Sequence, residues 1–202
     1  MRKFNGSELL VASHNSGKIE EIAHLMEPFG IKVRAASEFG LDEPEETETT
    51  FVGNARIKAH AASKATGLPA LADDSGLAVD PLDGDPGVYT ADWAETGSGR
   101  NFEMAMGKVH DALIARQAPE PWAAKFCCTL VLAWPDGHDE VFPGEVRGHI
   151  SWPPRGENGH GYDPIFIAEG HTLTFGEMDR WEKNKMSHRA DAFAKLTSAL
   201  KA

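Results

Sequence analysis

Two adjacent aspartates, a serine and a glycine, Asp73-Asp74-Ser75-Gly76, stand between the apolar residues Leu71-Ala72 and Leu77-Ala78-Val79. Neighbouring carboxylates in apolar surroundings oppose each other's ionisation, so the pattern suits a place where a cation or a polar substrate compensates them. A hard ion such as Mg²⁺ takes oxygen ligands and needs only one or two carboxylates, because water and phosphate oxygens complete its shell. The same four residues are also common turn formers. A plain turn between short strands at 70–73 and 77–80 is the competing reading.

Other stretches carry complementary groups. Ser13-His14-Asn15-Ser16-Gly17-Lys18 is a polar loop between a strand expected at 8–13 and a segment in which Ile19, Ile22, Ala23, Met26 and Phe29 recur at helical spacing. Backbone N–H groups at a helix start face any bound anion, and Lys18 adds a formal positive charge there. The loop is not a Walker A motif, since Ala12 and Ile19 stand where that motif needs glycine and a hydroxyl. A solvated strand-to-helix turn is the alternative use. Glu43-Pro44-Glu45-Glu46-Thr47-Glu48 then leads to Thr49 or Thr50 as the cap of a helix on which Asn54 and Lys58 share a face suited to phosphate oxygens. Runs of acids also serve simply as solvated surface.

Towards the C-terminus, Gly159-His160-Gly161-Tyr162-Asp163-Pro164-Ile165-Phe166 brings an aromatic ring and a carboxylate together on permissive backbone. Glu182-Lys183-Asn184-Lys185-Met186-Ser187-His188-Arg189 precedes a last helix, with Ser187 as its N-cap. His188 and Arg189 in that first turn oppose the helix dipole at a cost of about 0.3–1 kcal/mol each, which a nearby anion would offset.

The elements that must position these groups follow from periodicity. A second strand is expected at 31–36, a proline- and glycine-rich loop at 81–89, a helix at 102–115 and a strand at 123–134. Pro135-Asp136-Gly137-His138 turns the chain into a strand at 140–150, giving a long two-stranded projection and hence a mixed sheet. The 202 residues fit one domain, or one domain with a substantial lobe. A net charge of -11 argues against general binding to nucleic acid or anionic membranes, although a small anionic substrate needs only a local cluster of cations. Cys127 and Cys128 read as thiols in a reducing compartment, the cytoplasm. No apolar run is long enough for a signal-peptide core or a membrane span.

The motifs already quoted, with Thr50-Phe51, Asn54-Ala55, Lys58-Ala59, Pro86-Gly87-Val88-Tyr89 and Ser187-His188-Arg189-Ala190, stand in an order that resembles the inosine triphosphate pyrophosphatase, or Ham1, family nearly end to end. The resemblance implies an elongated α/β mixed-sheet fold of two lobes with a central cleft, a homodimer, a Mg²⁺ requirement, and hydrolysis of non-standard purine nucleoside triphosphates to monophosphate and pyrophosphate. It implies that Asp74 is the general base, with Asp73 able to exchange roles with it. Glu46 and Asp74 would hold the metal, with Glu45 or Asp73 as further candidates. Lys18 and Lys58 would neutralise phosphates, Ser13 to Lys18 would wrap the triphosphate, and Ser75 would contact substrate. His160, Gly161, Tyr162, Asp163, Lys183, His188 and Arg189 would select the base. Two residues depart from the family pattern: His160 stands in place of a stacking Phe, and Asp92 in place of an arginine. The rival readings are a Maf-like nucleotide pyrophosphatase of other specificity and a nucleotide-binding sensor without turnover. Asp73, Asp74, Glu46, Lys18 and Lys58 together argue against the sensor, which has no use for a water-activating acid.

Overall fold

A computed structural model describes residues 2–201. Strand β1 (Glu8–Val11) leads through the polar loop into α1 (Ser16–Met26), and β2 (Lys32–Ala35) follows. Asn15 starts α1 by accepting from the Lys18 N–H at 3.1 Å, while Pro28 lies in the short 3₁₀ turn just beyond its end. The acidic segment is irregular, as expected, until α2 (Phe51–Thr66) begins at Thr50, whose hydroxyl accepts from the Gly53 N–H at 3.1 Å.

The next strand corrects an expectation. Residues 70–79 form one uninterrupted strand, β3 (Ala70–Val79), with no turn at Asp73-Asp74-Ser75-Gly76. Turn-forming residues sit in a strand here because their polar groups find tertiary partners, which removes the advantage of a local turn. Successive strand side chains point to opposite faces. Ala70 and Ala72 pack with the α2 residues Ala55, Ala59 and Ala62, which places Asp74 on the α2 face and Asp73 on the other.

Beyond β3 come the two-residue strands β4 (Glu95–Thr96) and β5 (Gly99–Arg100), which pair only with each other, and then α3 (Phe102–Ala115), as its periodicity predicts. Strands β6 (Trp122–Ala133) and β7 (Asp139–Ile150) follow, joined by a turn in which the Trp134 N–H donates to the His138 carbonyl. They are not a projection. The six-stranded order is β2-β1-β3-β6-β7-β8, with β8 at Phe166–Ala168, so both long strands are interior. Near-continuous burial of β6 explains this, because a strand apolar on both faces must be covered on both. Strand β1 is parallel to β2 and β3, and β7 is antiparallel to β8, so the sheet is mixed. Helices α4 (Arg180–Met186) and α5 (His188–Lys201) close the chain. The first of these was not anticipated, although Asp179 three residues before Glu182 is a helix-start signal.

By its internal packing the chain divides into two compact units. The first comprises Met1–Asp74, Thr129–Pro143 and Ala192–Ala202, and the second Ser75–Cys128 and Gly144–Asp191. Each has its own apolar core. In the first, alanines of α2 pack on Leu10, Ala70, Ala72, Val131 and Ala133; in the second, α3 packs on a larger cluster that includes Phe126, Tyr162, Phe166 and Phe175.

Candidate active site

In the first unit, Lys18 reaches from the first turn of α1 to Asp73 on β3, its ammonium donating to Oδ1 at 2.6 Å and Oδ2 at 2.8 Å. On the α2 face, the Asn54 Nδ2 donates to the Asp74 Oδ2 at 3.2 Å, and the Asn54 Oδ1 accepts from the Glu48 N–H at 2.9 Å. One turn further along α2, Lys58 donates to the Glu46 Oε1 at 2.5 Å. The helix is built for this placement. Residues i, i+4 and i+8 share a stripe, so Asn54 and Lys58 follow one another along the face that Ala55, Ala59 and Ala62 press onto the sheet.

Burial alone would lower the Lys58 pKa, but the hydrogen bond to Glu46 and the charges of Asp74, Glu46 and Asp73 overcome it and hold the ammonium above the ordinary lysine range. A group whose pKa is raised on folding adds stability that is complete below the unfolded value and is lost as pH rises through the folded one. In metal-free protein, Glu46→Gln should therefore lower the melting temperature by an amount that is equal at pH 7 and pH 9 and shrinks only above the ordinary lysine value of 10.5. Because the Glu46 side chain is 35% exposed, solvent screening limits its contribution. The expected loss is about 1 kcal/mol or less, about 2–4 °C, readable in melting curves across that pH range.

The polar loop lies at the carboxyl end of β1. Ser13 is buried, its Oγ accepting from the Asn15 N–H at 3.2 Å, whereas His14, Asn15, Ser16 and Gly17 are exposed. The His14 Nε2 donates to the Leu41 carbonyl at 2.9 Å and so ties this loop to the start of the acidic segment. Beside His14 and Lys58 opens a cavity of about 210 Å³, also lined by alanines of α2 and by Asp42 and Glu43 of the acidic segment. Glu45 is exposed, and Ser75 is half-buried in β3.

Among the described residues, no group of three or more His, Cys, Asp or Glu side chains is gathered tightly enough to hold a metal. The expected metal pair, Glu46 and Asp74, needs no such cluster: both carboxylates act on the Lys58 ammonium, while strand alternation turns the side chain of the further candidate Asp73 to the other face of β3. The acids expected at a metal and the lysines expected at phosphates instead neutralise each other as Asp73 with Lys18 and Glu46 with Lys58. The donors near Lys58 are hard carboxylate oxygens. That set fits Mg²⁺, which keeps several waters and fills its shell from substrate phosphates rather than from an all-protein cage.

In the second unit, the residues expected to select a base come together around an aromatic column. His188, in the first turn of α5, stacks on Phe126 at 5.2 Å, Phe126 stacks on Phe175 at 6.0 Å, and the Lys183 ammonium lies 5.5 Å from the Phe175 ring centre. Lys183 also pairs with buried Asp163, whose Oδ2 accepts from the His160 N–H at 2.6 Å. Gly159 is obligatory in this loop. At φ +81°, a Cβ there would lie 2.1 Å from the Asp163 Oδ2. Ser187 caps α5 by accepting from the Ala190 N–H at 3.2 Å, as its position predicts. The half-buried Arg189 presents a buried Nε that has no hydrogen-bond acceptor among the described residues. His160 is exposed, and Gly161 follows at φ +66°.

Tyr162 is placed otherwise. Only 1% exposed, its ring meets Phe102 edge-on, its hydroxyl donates to the Thr90 carbonyl, and burial pushes the phenol well above its usual pKa. The ring belongs to the core, and only backbone at 162 is left for a ligand. Phe126 and Phe175, which floor the cluster, were not singled out in the sequence because an aromatic in an apolar run reads as ordinary core.

The profile of the Ham1 family matches residues 9–199. The chain belongs to the Ham1 family. Its relatives include a Ruegeria pomeroyi protein named dITP/XTP pyrophosphatase, 68% identical over 96% of each chain, and one of the same name from Agrobacterium fabrum, 57% identical over 97% of each. A Ham1 protein from Coxiella burnetii has the same fold, with a TM-score of 0.92 and 39% identity over 97% of this chain and 99% of that one. A nucleoside-triphosphatase, dITP/XTP pyrophosphatase from Mycobacterium abscessus matches with a TM-score of 0.81 at 36% identity over 94% and 97%. The matched span, residues 9–199, contains both clusters.

Proposed function

We propose that this Ham1 protein hydrolyses non-standard purine nucleoside triphosphates, dITP, ITP and XTP, to the monophosphate and pyrophosphate, and so cleanses the nucleotide pool. The observation that carries the reading is the grouping of Lys18, Asp73, Asp74, Asn54, Lys58 and Glu46 in one unit of a chain 68% identical to a dITP/XTP pyrophosphatase.

In cleavage between the α- and β-phosphates, water attacks one of the two phosphorus atoms while the other phosphate departs with the bridging oxygen and the bond electrons. Little covalent chemistry is asked of the protein beyond positioning and charge neutralisation. Asp74, steadied by Asn54, takes the proton of the attacking water. Lys18 and Lys58 leave Asp73 and Glu46 to face phosphate oxygens, and the start of α1, where Ser16 and Gly17 are exposed, supports the tail. Glu46 and Asp74 would hold Mg²⁺, which when bound would supply Lewis-acid neutralisation of the phosphates. The enzyme works in the cytoplasm as a homodimer, and the neighbouring cysteines Cys127 and Cys128 suit a reducing compartment.

Base selection falls to the second cluster. Inosine and xanthosine carry an oxygen at purine C6 where adenine carries an amino group, and Arg189 and Lys183 are donors. An orphaned buried donor such as the Arg189 Nε rewards an acceptor, and adenine would leave it unpaired at a cost of about 1–3 kcal/mol. His160 provides a planar face for the base, and Asp163 holds Lys183.

A substrate panel with pyrophosphate detection tests the reading. Wild-type protein with Mg²⁺ should turn over dITP, ITP and XTP far faster than dATP or dGTP, and equal rates on all purines would refute the selectivity. In the same assay, Arg189→Met should lower kcat/KM for dITP by about 10–100-fold while leaving that for dATP nearly unchanged.

A further inference from the structure

We infer that Asn54 is the positioning residue of this hydrolytic site, holding Asp74 and the acidic segment that carries Glu46 in a single register. The inference rests on the pyrophosphatase reading. Asn54 is 2% exposed, and the two ends of its amide face in different directions, Oδ1 to the Glu48 N–H at 2.9 Å and Nδ2 to the Asp74 Oδ2 at 3.2 Å. Chemistry decides the orientation of the amide. A backbone N–H can only donate and an ionised carboxylate can only accept, so the bridging group must offer one acceptor and one donor. Aspartate offers no donor to Asp74, and an apolar side chain leaves both neighbours unmatched.

A second, independent contact ties the same segment to the same turn of helix. At Gly53 a Cβ would lie 2.5 Å from the Cβ of Glu48, so the acidic segment lies directly against α2 only because residue 53 has no side chain. Residues 41–48 have no helix or strand of their own and depend on such ties. Glu46, two residues before Glu48, reaches Lys58 one helical turn beyond Asn54. One carboxamide thus links Asp74 to the segment that carries Glu46.

The test compares wild type, Asn54→Ala and Asn54→Asp in pyrophosphate release from dITP with Mg²⁺, with kcat and KM measured separately and melting curves recorded. Misplacing a reacting group by a fraction of an ångström to 1 Å costs on the order of 10²-fold, so Asn54→Ala should lower kcat by about that factor. KM should stay within about threefold, which is the signature of lost alignment rather than lost binding. Asn54→Asp keeps the acceptor for Glu48 but not the donor for Asp74, and should lose at least as much kcat. A folded Asn54→Ala with kcat near wild type, or a loss confined to KM, overturns the inference. Should Asn54→Ala not fold, near-normal kcat in the isosteric Asn54→Asp overturns it equally. Absence of pyrophosphate release by wild type would instead reject the pyrophosphatase reading.

Discussion

Asp74→Asn should lower pyrophosphate release by about 10²–10⁴-fold, the usual contribution of a positioned general base, while the melting temperature stays within a few degrees of wild type. The substitution is nearly isosteric and keeps an oxygen for the Asn54 Nδ2, so packing on the α2 face survives. What it removes is the ability to accept a proton from water. Asp73→Asn should act differently. Both Asp73 oxygens accept from Lys18, so the substitution leaves that lysine one acceptor but removes its charge partner, rather than deleting a base. Kinetics of the two variants on dITP, alongside thermal melts, separate these roles. Collapse of the Asp74→Asn melting curve would make Asp74 structural, and a larger kcat loss in Asp73→Asn would reverse the assignment.

Lys58→Met should lower kcat/KM on nucleoside triphosphates by about 10²–10³-fold, the range for removing one preorganised charge-stabilising group. Lys58 lies in the field of Asp74, Glu46 and Asp73, and without it those carboxylates meet a polyanionic substrate with one compensating cation fewer. Methionine fills the volume of the lysine stem, and the partly exposed Glu46 left behind can hydrate, so the fold should persist. Steady-state kinetics at several ionic strengths check the cause, because added salt screens the carboxylate–substrate repulsion and should narrow the gap to wild type. A variant within about threefold of wild type at low salt would remove Lys58 from the phosphate-binding set.

The helices were legible wherever their own residues decide them. The spacing of Phe102, Ala105, Met106, Val109 and Leu113 specifies α3 to the residue, and Thr50 and Ser187 start their helices as their types predict. The Ham1 resemblance was legible too, because it rests on residue order. Less visible was Asn54, read only as a neighbour of Lys58 with phosphate in view, since its real partners, Glu48 and Asp74, are 6 and 20 residues away. Tyr162 read as a ligand-facing ring for a similar reason, because nothing local announces that Thr90, 72 residues distant, supplies its acceptor.

Asp73-Asp74-Ser75-Gly76 divides most clearly what each level of structure decides. Residue types alone established that charge of this kind, in apolar surroundings, needs compensation, and spacing established which segments carry lysines. Whether those four residues bend or extend depended on α1 bringing Lys18 to one face of β3 and α2 bringing Asn54 to the other. Local propensity differs between turn and strand by about 1 kcal/mol, whereas a buried carboxylate without a partner costs several, so the tertiary partners prevailed.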